Sequence, residues 1–258
     1  MTDENATQPG VITEKLGSAL RITMSNPGKK NAIDRAMYLG LADALTNAAN
    51  DPDIRVVWLR GADGDFTSGN MVSDFHNSAS GDHPPVVAFL EALIKFPKPI
   101  VAQVEGVAIG VGTTMLMHCD LIYVAEETLF RMPFVNLGLV PEAGSSYIVP
   151  RLMGQAKAAE LLLLGRMFSA QEALETGLVS RVVSPEDLET TVAAAVAELG
   201  ELPPNAVMKT KALLRRPLTG DLWSRVTEEL VDFGEALQND EFSEAFSAFV
   251  EKRKPVFK

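Results

Sequence analysis

Glu142 lies in Val140-Pro141-Glu142-Ala143-Gly144, with Phe134 and Leu139 near it in the chain. A carboxyl group in such an apolar setting has its pKa raised toward the working pH, where it can take a proton and also return it. A glutamate at the start of a helix more commonly meets the helix dipole, and the residues alone leave both roles open. Two glycine-bearing loops follow apolar runs, Gly61 to Asn70 and Gly106 to Gly112. Such loops are either plain turns or presenters of backbone N–H groups to a developing oxyanion. Lys29 with Lys30, and Lys252, Arg253 and Lys254, form two basic clusters. Either would suit a polyanionic ligand, and either would equally suit open solvent. His76, His83 and His118 are too scattered for a metal site, and Cys119 is the single cysteine. No metal and no disulfide are expected.

The elements that must position these residues alternate between strand and helix. Val11 to Met24 predicts two short strands meeting at Gly17, closed by the turn residues Asn26-Pro27-Gly28. Asp34 is placed to cap a helix carrying Met37, Leu41, Leu45 and Ala48, which Asp51-Pro52 ends. Ile54 to Leu59 and Ile100 to Val104 read as buried strands, each followed by one of the glycine loops, with helices over Val86 to Lys95 and from Gly112 to His118. Short strands follow at Leu121 to Val124, Thr128 to Arg131 and Val179 to Val183, with Ser169 and Ser184 as N-caps. From Pro203 onward only helices are predicted, over Asn205 to Arg215, Asp221 to Gln238 and Asp240 to Lys252. The last carries the stripe Phe242, Phe246 and Phe249, which is expected to be buried. This alternation predicts an α/β class.

Composition narrows the function classes. A net charge of −11 opposes DNA, RNA and anionic membranes as partners, so any polyanion must be held by a few local cations. The polar, acidic start MTDENATQPG lacks the features of a secretory signal and is expected to be a disordered lead-in over residues 1–10. A cytoplasmic, soluble protein is expected.

Three stretches carry a resemblance: Phe66-Thr67-Ser68-Gly69-Asn70, Gly106 to Asp120, and Phe130 to Gly154. In order and spacing they resemble the enoyl-CoA hydratase/isomerase (crotonase) superfamily. Lys30-Asn31-Ala32-Ile33, Gly177-Leu178-Val179, and Glu251-Lys252-Arg253 with Pro255 and Phe257 extend the likeness over nearly the whole chain. Within the superfamily, the Ser-Gly-Asn loop and Pro-Glu-x-x-Ser-Ser-Tyr are most similar to the Δ3,Δ2-enoyl-CoA isomerases.

The resemblance implies a ClpP/crotonase spiral of ββα units over residues 11–200 and a helical oligomerisation region over 201–258. It also implies a homotrimer or dimer of trimers. The substrate would be an acyl-CoA thioester, with coenzyme A as part of the substrate and no separate cofactor. The resemblance makes Glu142 the proton shuttle, and the N–H groups of Ser68 and Val111 the oxyanion donors. It assigns contacts with the substrate or its coenzyme A to Lys29, Lys30, Ala32, Phe66, Ser68, Gly69, Asn70, Gly110, Lys252 and Arg253.

Two departures from the family pattern matter. Thr114 and Phe134 stand where hydratases carry a pair of glutamates that handle water, and Met71 stands where an aspartate is common. Isomerisation of 3-enoyl-CoA to 2-enoyl-CoA is therefore expected ahead of hydration. Another acyl-CoA enolate reaction, or a CoA-binding scaffold without catalysis, are the alternatives. No Ser, His and Asp set stands where the related serine proteases would need one.

Overall fold

The turn at Gly17 takes a left-handed φ of 60° and folds β1 (Gly10–Leu16) back along β2 (Ala19–Ser25) as an antiparallel pair. This computed structural model describes residues 10–71, 85–238 and 240–256. His76, His83, Phe257 and residues 1–9 of the expected lead-in lie outside the described residues. Gly10, the last residue of that lead-in, is already part of β1.

From β2 the sheet continues with parallel strands β3 (Val56–Gly61), β4 (Ile100–Val104), β6 (Leu121–Ala125) and β9 (Arg181–Val183), in the order β1-β2-β3-β4-β6-β9. A second sheet has the order β5-β7-β8, from β5 (Val107–Ile109), β7 (Leu129–Arg131) and β8 (Met167–Ser169). The chain alternates between the two: β4 leads to β5, and β6 to β7. After β3, Thr67 bridges to Ala108 in the same way. Each turn of the spiral thus adds one strand to the large sheet and one short strand beside the loops that follow it. The α/β reading stands, and the two sheets wind as the expected spiral.

Strands covered on both faces read as apolar runs, because neither face meets water. Val57 and Leu59 face the main core, shared with α1 (Arg35–Asn50) and α2 (Pro85–Ile94). Val56 and Trp58 face a second core shared with Leu188, Val192 and Val196. Asp34 caps α1 as predicted, its carboxylate accepting from the Met37 N–H at 2.8 Å. The other end of α1 is met by the buried Lys98, whose ammonium donates to the carbonyls of Ala48 and Asp51. A cation on the last carbonyls is the favourable arrangement at a helix C-terminus.

Several helices differ from expectation. The helix expected to run to His118 is α3 (Val111–Thr114), which passes at once into a 3-10 turn, Met115–His118. After α4 (Ser145–Met153) and α5 (Gln155–Leu164), Ser169 caps α6 (Ala170–Glu175) in a full capping box with Glu172. Ser184 precedes α7 (Pro185–Glu201) without capping it, because its hydroxyl turns to Asp187 Oδ2. The two helices expected between Asn205 and Gln238 are one, α8 (Pro204–Ala236). Lys211 and Arg215 pin α8 to Asp120, and Leu222 and Val226 pack on Tyr147 and Ile148. In α9 (Asp240–Val250) Phe242 is buried and Phe246 half-buried, but Phe249 is 60% exposed, so the predicted stripe is buried only at its N-terminal end. Among the described residues, no helix is long and apolar enough to cross a membrane.

Candidate active site

Two buried asparagines tie together the loops that follow β2 and β3. Asn31 donates from Nδ2 to the carbonyls of Ala62 and Asp65, and its Oδ1 accepts from the Asn26 N–H at 2.9 Å. Asn26 in turn donates to the Ala32 carbonyl at 2.7 Å. Lys30 and Asn31 hold left-handed φ values of 48° and 54°, a region asparagine tolerates better than most residues. The Thr67 hydroxyl closes the assembly, donating to the Asn31 carbonyl and accepting from the Gly69 N–H. Gly69 is required on two counts. Its φ is +90°, and an added Cβ would sit 2.5 Å from the Ile109 carbonyl oxygen. Only glycine lets the 67–70 loop approach the 109–111 loop this closely.

Within that assembly, the Ser68 N–H donates to the Lys30 carbonyl at 2.8 Å. This corrects the expectation that Ser68 presents an oxyanion donor, because a neighbouring turn of chain has already taken its N–H. The Gly69 and Gly110 N–H groups are also engaged, the latter by the Arg131 carbonyl at 2.8 Å. Among the described residues, the N–H groups of Asn70 and Val111 have no protein acceptor. The Val111 group is one of the orphan donors of a first helical turn. With α3 only four residues long, it acts as a local donor with little macrodipole behind it.

Glu142 enters from the other side. Its loop is tightened by the Ser145 N–H and hydroxyl, both donating to the Glu142 carbonyl, and by a left-handed Ala143 at φ 57°. The His118 ring Nε2 lies 2.8 Å from the Ala143 carbonyl and donates to it. Burial pushes His118 down to about 4, so the ring is neutral. The Glu142 side chain is 7% exposed. The Thr114 hydroxyl donates to its Oε1, while Oε2 is enclosed and has no protein partner among the described residues. Burial raises Glu142 to about 8, with the Thr114 hydrogen bond opposing the rise and the nearby charge of Glu229 adding to it.

A cavity of about 510 Å³ joins these groups. Glu142, Val111, Gly110, Asn70, Gly69 and Ser68 line it together, with apolar walls from Val86 and Leu90 of α2, from Leu230 and Phe233 of α8, and from Leu237 just past its end. The enoyl-CoA hydratase/isomerase family model matches residues 14–258. The chain belongs to the enoyl-CoA hydratase/isomerase family. It is 36% identical over 253 residues to enoyl-CoA delta isomerase 2 of Rattus norvegicus, covering 95% of this chain. It spans 64% of the length of that relative. A crystal structure of an enoyl-CoA hydratase/isomerase from Pseudoalteromonas atlantica superposes with a TM-score of 0.92 at 40% identity, covering 96% of this chain and 99% of the other. An enoyl-CoA hydratase from Mycobacterium avium subsp. paratuberculosis superposes with a TM-score of 0.88 at 29% identity, covering 96% and 98%.

The remaining sites expected of an enoyl-CoA hydratase/isomerase member divide. Arg253 lines the cavity mouth with Phe249 and Pro255, but both its Nη atoms pair with the Glu244 carboxylate, which that contact holds down to about 2. Lys29, Lys30, Ala32 and Lys252 lie outside the cavity lining. Lys30 Nζ is 3.3 Å from Asp65 Oδ1. Phe66 is fully buried in the main core and lies outside the cavity lining. Thr114 and Phe134, at the two hydratase glutamate positions, are both buried, Thr114 on Glu142 and Phe134 in the cavity wall. Among the described residues, Glu142 is the one carboxylate in that lining.

Proposed function

We propose that the chain is an enoyl-CoA isomerase that converts a 3-enoyl-CoA to a 2-enoyl-CoA through a dienolate. The observation that carries this reading is that, among the described residues, the enclosed Oε2 of Glu142 has no partner and shares its cavity with the N–H groups of Asn70 and Val111, which have no acceptor. The thioester oxygen sits on the two N–H groups. Glu142 Oε2 removes a proton from C2, negative charge spreads from the carbonyl oxygen to C4, and the same carboxyl group returns the proton at C4. The double bond moves one position, and neither water nor any other reactant is consumed.

Donors fixed before the reaction act where charge develops, and losing one such donor raises a barrier by about 3 kcal/mol. A carboxyl group poised near the working pH is suited to both halves of the transfer. Adding water across the double bond needs a second acid–base group to manage the water, and among the described residues the cavity lining offers one carboxylate. The reaction as drawn needs no cofactor.

The decisive assay follows the absorbance of the conjugated thioester as 3-enoyl-CoA is consumed, beside the hydration of 2-enoyl-CoA. Isomerisation should outpace hydration by a wide margin, and the reverse result would overturn this reading. We also propose the trimer-based assembly that the family resemblance implies, for which a stable monomer at micromolar concentration in sedimentation would be the contrary result.

A further inference from the structure

The turn that carries Glu142 is gripped from its far side by a second buried acid, Glu229 of α8, which is 5% exposed. Its Oε2 accepts from the Gly144 N–H at 2.6 Å and its Oε1 from the Ser146 N–H at 2.9 Å. The Ala143 carbonyl and the Gly144 N–H belong to one peptide unit. That unit is held at one end by His118 and at the other by Glu229. A peptide pinned at both poles cannot rotate, so the neighbouring Glu142 side chain leaves the backbone in one direction. Contact with α8 is close, since a Cβ added at Gly144 would lie 2.4 Å from Leu222 Cδ1.

We propose that Glu229 is a positioning residue for Glu142, locking the Ala143–Ser146 turn and placing a second carboxyl group behind the one that must ionise. A helix cap alone would explain two N–H bonds at the start of α4. It would not call for an acid placed deep in the protein beside another buried acid, where each disfavours the charge of the other. Burial raises the pKa of Glu229, the bonds from Gly144 and Ser146 oppose the rise, and Arg225 of its own helix opposes it further. Arg225 itself pairs with Glu228 at 2.7 Å. The Thr114 hydroxyl meets Glu142 directly and neutral His118 lies behind Ala143, while the cavity that Glu142 lines also carries Arg35, Tyr38, Arg131 and Arg253.

This inference rests on Glu142 as the base, and its test separates the two. The δ-carboxyl carbon of Glu142, labelled with carbon-13 and assigned with Glu142→Gln, is titrated in the wild type, Glu229→Gln and Glu229→Asp. Removing the neighbouring charge in Glu229→Gln should move that titration down by roughly one unit. The acid limb of kcat against pH should follow it. Glu229→Asp keeps the charge on a shorter arm, so its limb should stay in place while kcat falls about tenfold or more from lost alignment. KM should change little in either variant.

An unmoved Glu142 titration in Glu229→Gln, or an Asp variant with normal kcat, would overturn the inference and leave Glu229 a helix cap. If Glu229→Gln does not fold, the kcat of the Asp variant decides. If Glu142→Gln retains wild-type turnover, the base assignment fails, and the carbon titration still decides what Glu229 does to Glu142.

Discussion

Thr114 and Glu142 share one hydrogen bond, and its direction fixes the chemistry available to the carboxyl group. The threonine hydroxyl occupies Oε1, and Oε2 is left as the oxygen free to meet a substrate proton. At one of the two positions where the resemblance puts a hydratase glutamate, this chain sets the hydroxyl that holds Glu142.

Glu142→Gln preserves shape and removes the base. Turnover of 3-enoyl-CoA should fall about a hundredfold to ten-thousandfold, the usual worth of general-base catalysis. Binding of a non-reacting acyl-CoA, measured by calorimetry, should stay close to wild type. Near-normal turnover in this variant would place the proton chemistry elsewhere.

Thr114→Val removes the donor while keeping the volume. Because the Thr114 hydrogen bond lowers the pKa of Glu142, its loss should raise that pKa further above about 8. The acid limb of the rate profile should therefore move to higher pH, and Thr114→Ser should bring it back. A limb that stays in place in Thr114→Val would mean that the hydroxyl does not govern the ionisation.

Stability should carry the same signature with an unusual sign. Glu142 is raised from 4.5 to about 8 on folding, so between those values the native state binds more protons than the unfolded chain and stability falls as pH rises. Glu142→Gln lacks this penalty. Denaturant melts should find the variant and wild type alike below pH 4.5, with the variant gaining through the interval and keeping a lead of a few kcal/mol above it. Equal stability at pH 9 would show that Glu142 is not desolvated as the cavity implies.

Asn31→Ala removes three hydrogen bonds at once from a buried, left-handed position. The expected loss is about 2–4 kcal/mol in denaturant midpoint analysis, since the partner groups are left buried and unpaired. Activity should fall with it at temperatures where the variant is still folded, because those bonds fix the Asn31 backbone, whose carbonyl accepts from the Thr67 hydroxyl that in turn accepts from the Gly69 N–H. A variant that loses stability while keeping full turnover would separate the asparagine from the oxyanion loop.

How far these groups could be read from the chain depends on the distance over which each is determined. Asp34 capping α1 and the buried runs of β3 and β4 follow from local rules and were legible. Glu142 was legible because its apolar flanks and its motif pointed the same way. The choice between Ser68 and Asn70 was not, because it turns on whether the carbonyl of Lys30 reaches a particular N–H, and φ angles 38 residues apart from that N–H decide this only in three dimensions. Glu229 was silent for the same reason: an acid on a helix is usually solvated, and its partners lie 83 and 85 residues away. Phe249 shares the helical stripe of Phe242, but periodicity reports a face of α9 and not how far along the helix the core extends.

The groups that line the cavity come from chain segments as far apart as Arg35 and Arg253. Closing such separations costs chain entropy before any contact repays it. In refolding, the sheet core around Trp58 can form while α8 is still undocked, giving a chain with native strands and no catalysis. Recovered turnover should therefore lag recovered Trp58 fluorescence, observed in a Trp223→Phe background, by the time α8 takes to dock.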